Sequence, residues 1–215
     1  MRNLYLIAHT QATHHVENLV GGWHDSALTP RGLEDAQLLA AALREHLSED
    51  GGMRLFSSDL LRAQQTAAPI GKLLGVDILT DPDLREQSYG IAEGTPAGSI
   101  PYLPPPARGD RLNHRSGVAG SETRREWAVR VYAALERILA AEARNTVVVT
   151  HGGSATYLIA AWIGLRLPDA GYVKFQVSPG SITHLREDDF DHDRQVVALN
   201  LTGCQLQERY RHGEA

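Results

Sequence analysis

Cysteine is almost missing from this chain: Cys204 is the one thiol in 215 residues. A single thiol excludes an intrachain disulfide and a zinc site built from cysteines. Long apolar runs are missing too. No stretch nears the roughly 20 consecutive apolar residues of a membrane-spanning helix, so no membrane partner is expected. Positive charge is not in excess either, with 21 Lys and Arg against 26 Asp and Glu and a formal net charge of −5. Non-specific nucleic-acid binding needs a basic face, so nucleic acid is not an expected partner. The first residues enter an apolar pattern with no charged leader before it, so no secretion signal is expected, and the expected location is cytoplasmic.

What is present suits one globular domain over residues 1–215, with 42% hydrophobic and 22% charged residues. Runs rich in Val, Ile and Leu at 4–7, 53–57, 76–79, 146–150, 181–186 and 195–199 predict strands. Helical spacing fills the intervals. Thr29-Pro30 opens a helix carrying Leu33, Ala36, Leu39, Ala40, Leu43 and Leu47. A second begins near Asp59 and stops at Gly75, and a third begins at Thr123 with Glu126 completing a capping box. A fourth follows Gly153 and ends near Gly164. Alternating strands and helices predict a three-layer α/β/α sandwich around a mostly parallel sheet. The Pro-rich stretch at about 91–120 breaks the rhythm and reads as a lid or insertion, with Arg108, Arg111 and Arg115 as cations for an anionic substrate.

Two histidines close two of the apolar runs. His9 follows Leu4-Tyr5-Leu6-Ile7-Ala8, and His151 follows Thr146-Val147-Val148-Val149-Thr150. Either one alone reads as an ordinary loop residue. Together they occupy the place where α/β sheets bind ligands, the carboxyl ends of the strands.

The spacing of several motifs resembles the histidine phosphatase superfamily over almost the whole chain. Gly22-Trp23-His24-Asp25-Ser26-Ala27-Leu28-Thr29-Pro30-Arg31-Gly32 matches its Gly-Trp-x-Asp-x-x-Leu-Thr-x-x-Gly segment without a gap. Ser57-Ser58-Asp59-Leu60-Leu61-Arg62 looks like its second-arginine segment, and Leu84-Arg85-Glu86-Gln87-Ser88-Tyr89-Gly90 like its general-acid segment. Thr150-His151-Gly152-Gly153 resembles the second-histidine motif. The resemblance implies a phosphoglycerate mutase-like fold and a phosphomonoester hydrolase. His9 would be its nucleophile, Glu86 its proton donor, and Arg62 and His151 would hold the phosphoryl oxygens. Thr10, Gln11, His15, Gly22 and Gly152 would contact a small anionic substrate. The chemistry requires no cofactor. The histidines match no metal-ligand spacing, so no metal is expected. A homodimer is consistent with the resemblance.

The first motif departs from the family. Where the family has Arg-His-Gly, this chain has Ala8-His9-Thr10, and the Asn seven residues past that arginine is replaced by His15. Three readings follow. Cations from His14, His15, Arg85 or the 108–115 loop replace the lost arginine in a phosphatase. Alternatively, His9, Glu86 and His151 serve as acid and base on a non-phosphorylated substrate, or the scaffold binds without catalysing.

Overall fold

The computed structural model describes residues 1–47 and 52–211, with side chains through 208. Among these, one sheet runs β3-β2-β4-β1-β5-β6. Its strands are β1 (Arg2–Ala8), β2 (Met53–Ser57), β3 (Ile78–Thr80), β4 (Asn145–Thr150), β5 (Ile182–Glu187) and β6 (Arg194–Leu201). The β3, β2, β4 and β1 strands are parallel, whereas β5 runs antiparallel to both β1 and β6. The sheet is therefore mixed and mostly parallel.

Side-chain alternation explains why the central strands are apolar throughout. Leu4, Leu6 and Val148 face one layer, α4 (Arg124–Ala140) and α5 (Gly152–Trp162). Tyr5, Ile7, Val147 and Val149 face the other, α2 (Pro30–His46), α3 (Leu61–Leu74) and α6 (Gly203–Arg211). Both faces of β1 and β4 are covered, giving the expected three layers.

Local signals set several boundaries. Thr29 Oγ1 accepts from the Gly32 amide at 3.0 Å ahead of Pro30, and Thr123 and Glu126 form the capping box that opens α4. Gly75 ends α3 with a φ of 68°, a left-handed conformation in which glycine carries no Cβ penalty. Other expectations shift. The α3 helix starts at Leu61, and the Asp59 carboxylate is engaged by Arg85. The third strand covers 78–80, α5 begins directly at Gly152, and Leu33 is exposed despite its helical spacing. A one-turn helix, α1 (Thr13–Val16), and α6 were not anticipated.

After a short 3₁₀ turn at Gly90–Ala92, the 93–123 segment has two isolated bridge residues, Pro96 and Ser121, but no regular helix or strand. It is tied down by backbone bonds from Leu103 to Ser116 and from Arg125 to Leu112. The Tyr172 hydroxyl also donates to the Gly109 carbonyl at 2.9 Å.

Candidate active site

The register of β1 on β4 pairs Ala8 with Thr150, so His9 and His151 leave the sheet side by side. Their rings meet edge to face with centroids 5.1 Å apart. His9 Nδ1 lies 2.8 Å from the Thr10 carbonyl, which can only accept. Nδ1 therefore carries the ring proton and Nε2 keeps its lone pair. The Arg62 Nε–H donates to that Nε2 at 3.2 Å. Arg62, 1% exposed, is held by the carbonyls of His24 (2.8 Å) and Gly22 (2.7 Å). Burial, then the nearby guanidinium, keeps the His9 pKa well below the ordinary imidazole range. His9 is neutral near pH 7.

Three more imidazoles crowd this nucleus. The α1 helix brings His15 parallel to His9, centroids 5.4 Å apart, and the Ala12 amide donates to His15 Nδ1 at 3.2 Å. That bond puts the His15 proton on Nε2. His14 Nδ1 sits 2.6 Å from Ser26 Oγ, and burial followed by the His15 neighbour lowers its pKa to about 3. His151 Nε2 contacts Ser58 Oγ at 2.9 Å, and its buried Nδ1 has no hydrogen-bond partner among the described residues. Burial also holds His151 well below its ordinary pKa. Among the described residues, no group of three or more His, Cys, Asp or Glu is placed to hold a metal ion.

Glu86 follows the 3₁₀ turn Pro82–Leu84 and reaches the amino terminus of α5. Its carboxylate accepts from the amides of Gln87 and Gly153, each at 2.9 Å. Burial raises its pKa and outweighs those two bonds and the Arg62 charge, which act in the opposite direction. Gly153 makes this approach feasible: a Cβ there would lie 2.4 Å from Glu86 Oε1. Arg130 of α4 fixes the Glu86 segment by donating to the carbonyls of Asp83, Arg85 and Glu86 and to the Glu122 carboxylate. The Trp23 indole N–H adds a 2.7 Å bond to the Glu86 carbonyl.

An inner cavity of about 200 Å³ is lined by Ala8, His9, His14, His15, Gly22 and Arg62, and by Glu86, Gly152, Val177 and Pro179. A larger cavity of about 470 Å³ adjoins it, and Glu86, Gly152 and Val177 line both. The raised carboxyl thus stands at a wall common to the two spaces. A reacting group in the inner space and its leaving group in the outer would share one acid.

The sequence profile of the histidine phosphatase superfamily (branch 1) matches residues 4–202. The chain belongs to that superfamily. A Yersinia pestis (strain Pestoides F) protein named probable phosphoglycerate mutase GpmB is 32% identical over 168 residues, covering 77% of this chain and 76% of that protein. The structure of a mycobacterial glucosyl-3-phosphoglycerate phosphatase in complex with VO3 superposes with a TM-score of 0.76 at 26% identity, covering 94% of this chain and 100% of the other. The fold is shared also with an α-ribazole phosphatase from Shigella flexneri, TM-score 0.75 at 23% identity, covering 93% and 96%. Membership makes this chain an enzyme of the phosphatase and mutase type.

For a histidine phosphatase, the inner cavity is sparing in charge. Ala8 puts a methyl group in its wall, and Arg62 is the one arginine among the lining residues. Arg85 lines neither cavity: it makes a two-bond pair with Asp59 and stacks on Trp23, 4.8 Å from the ring centre. His9, Arg62, Glu86, His15, Gly22 and Gly152 meet at the inner cavity, with His151 against the His9 ring. Thr10 and Gln11 do not line it. The Thr10 hydroxyl turns to the Gly32 carbonyl at 2.7 Å, and the Gln11 side chain accepts from Thr29. Of the lid cations, Arg111 lines the outer cavity, whereas Arg108 and Arg115 line neither. Sequence reasoning missed Arg130 and most of the outer wall. Arg124 left one signal, a cation at the first position of a helix, where acidic residues are favoured.

Proposed function

We propose that this enzyme hydrolyses phosphomonoesters through a phosphohistidine on His9. The observation carrying the reading is the neutral, tautomer-fixed His9, whose Nε2 faces Arg62, beside a raised carboxyl at the common wall of two cavities. His9 Nε2 attacks phosphorus, the ester P–O bond breaks, and the Glu86 proton passes to the departing alkoxide. Water then attacks the phosphohistidine, its proton returns to Glu86, and the N–P bond breaks to release phosphate and restore the Nε2 lone pair. The Arg62 Nε–H shifts from the ring nitrogen to a phosphoryl oxygen as the N–P bond forms. His15 Nε2–H adds a neutral donor.

The names of the mycobacterial phosphatase and the Yersinia mutase both support phosphate-ester chemistry. Hydrolysis is favoured over mutase action because the one arginine of the inner cavity suits a phosphoryl group passed on to water better than one held there for a second transfer. Losing one charged donor costs about 1.5–3 kcal/mol, or roughly ten- to a hundredfold in rate where that contact tightens in the transition state.

The test is phosphate release from an aryl phosphate by wild type, Ala8→Arg and His9→Ala. Wild type is expected to exceed the His9→Ala blank, and Ala8→Arg to gain about tenfold or more in kcat/KM. A silent wild type beside an active Ala8→Arg would overturn the hydrolase reading and favour acid–base work by His9, Glu86 and His151 on another substrate. Silence in both would favour a binding protein.

A further inference from the structure

The outer cavity carries features that phosphoryl transfer itself does not use. It has more than twice the volume of the inner one, and its wall brings together two guanidinium groups. Arg111 comes from the 91–120 segment and Arg124 from the first turn of α4. Both donate to one carbonyl, that of Gly171, at 3.0 and 3.1 Å. Neither enters an ion pair found among the described residues. Arg124 also sits at the positive end of a helix, the end that disfavours a cation. Each arginine has five donors, and Arg111 spends another on the Pro106 carbonyl, so free N–H groups remain on both. Two cations held together against repulsion and against a helix dipole mark a place for an anion.

Lys174 adds a third cation to the lining, and six aromatic residues make up much of the rest of the wall. Tyr89, Trp127 and Tyr157 lie among the residues next to the shared wall, and Tyr102 and Tyr172 are contributed by exposed segments. Arg111 stacks on Tyr172 with its guanidinium carbon 5.1 Å from the ring centre, so cation and ring form one surface. Glu86 is the one carboxylate among the lining residues, and it stands at the inner end.

We infer that the outer cavity takes the alcohol half of the substrate, and that this half combines a planar or ring-shaped body with a second anionic group directed to Arg111 and Arg124. The inference rests on the hydrolase reading for its orientation, with the phosphoryl group inside and the leaving group outside. The shared chemistry of the second anion is a carboxylate or a second phosphate.

The test has two arms. The first compares kcat/KM for phenyl phosphate, 3-carboxyphenyl phosphate and 3-phosphonophenyl phosphate in wild type and in Arg111→Gln/Arg124→Gln. Wild type is expected to prefer the esters with a second anion at least tenfold, and the double variant to lose most of that preference, chiefly through KM. The better of the two doubly anionic esters identifies the anion. Equal selectivity in wild type and variant would overturn the inference. The second arm measures binding of 1-naphthoate and of uncharged 1-naphthalenemethanol to His9→Ala by calorimetry. Naphthoate is expected to bind more tightly, and to weaken at least tenfold in His9→Ala/Arg111→Gln/Arg124→Gln. Equal affinity for the two probes would also overturn it. Naphthoate binding without ester hydrolysis by wild type would sink the hydrolase reading alone. Hydrolysis without selectivity would sink the outer-cavity assignment alone.

Discussion

In the proposed reaction Glu86 would owe its acid role to its neighbours, not to its own chemistry. Burial favours the neutral form, while amide bonds from Gln87 and Gly153 keep the carboxyl in place. A methyl group at position 153 would meet both Glu86 Oε1 and the Trp127 ring at 2.4 Å. Gly153→Ala is therefore expected to displace the carboxyl by a sizeable fraction of an ångström. A misplacement near 1 Å costs about a hundredfold in rate, so kcat on an alkyl phosphate should fall roughly ten- to a hundredfold. Loss should be smaller on a nitrophenyl phosphate, whose leaving group needs less protonation. Equal loss on both esters would show that Gly153 serves folding instead of the acid. At this scale adjacency in sequence misled. Thr10 and Gln11 follow His9, yet the Thr10 hydroxyl bonds the Gly32 carbonyl and Gln11 is taken up by Thr29. Alternation turns Thr10 away from the side His9 takes, whereas Gln11, beyond the end of β1, is drawn off by Thr29.

The elements that were legible are those with strong periodicity or a cap. The α2 and α4 helices announce themselves through Thr29-Pro30 and the Thr123–Glu126 box, and β1 and β4 through apolar runs closed by histidine. Strand direction was not readable: a run buried on both faces looks alike parallel or antiparallel, and β5 turns out to be antiparallel. The α1 helix, one turn long, is too short for periodicity, yet it delivers His14 and His15 to the site. The inner cavity was thus largely visible in the motifs. The outer one was visible only in part: Tyr89 falls in the general-acid segment and Arg111 among the lid cations, whereas Arg124, Tyr157, Tyr172 and Lys174 belong to no motif.

The whole molecule carries an unusual load of neutral imidazoles. Burial lowers the pKa of His9, His15 and His151, brings His14 to about 3, and brings His46, which contacts the Tyr5 hydroxyl, to about 4. A depressed folded-state pKa contributes stability above the unfolded value, about 6.5 for histidine, and that stability is lost as pH falls toward the folded value. Glu86 acts in the opposite sense, since its raised pKa contributes stability below the unfolded carboxyl value that is lost as pH rises through the folded one. Five histidines outweigh one carboxyl. The Tm is expected to drop by roughly 5 °C or more between pH 7.5 and pH 5. A flat or rising Tm over that interval would show that these rings accept protons in the folded state.

The central claim is that His9 forms a bond to phosphorus. Its most direct test is to mix Glu86→Gln with a radiolabelled nitrophenyl phosphate, quench in alkali, where phosphohistidine survives, and map the label by peptide mass. The nitrophenolate leaves without an acid, while water attack on the intermediate lacks its base. Label is predicted on the peptide containing His9, with none in Glu86→Gln/His9→Ala. Turnover by wild type with no label on that peptide, or label persisting without His9, would contradict the account.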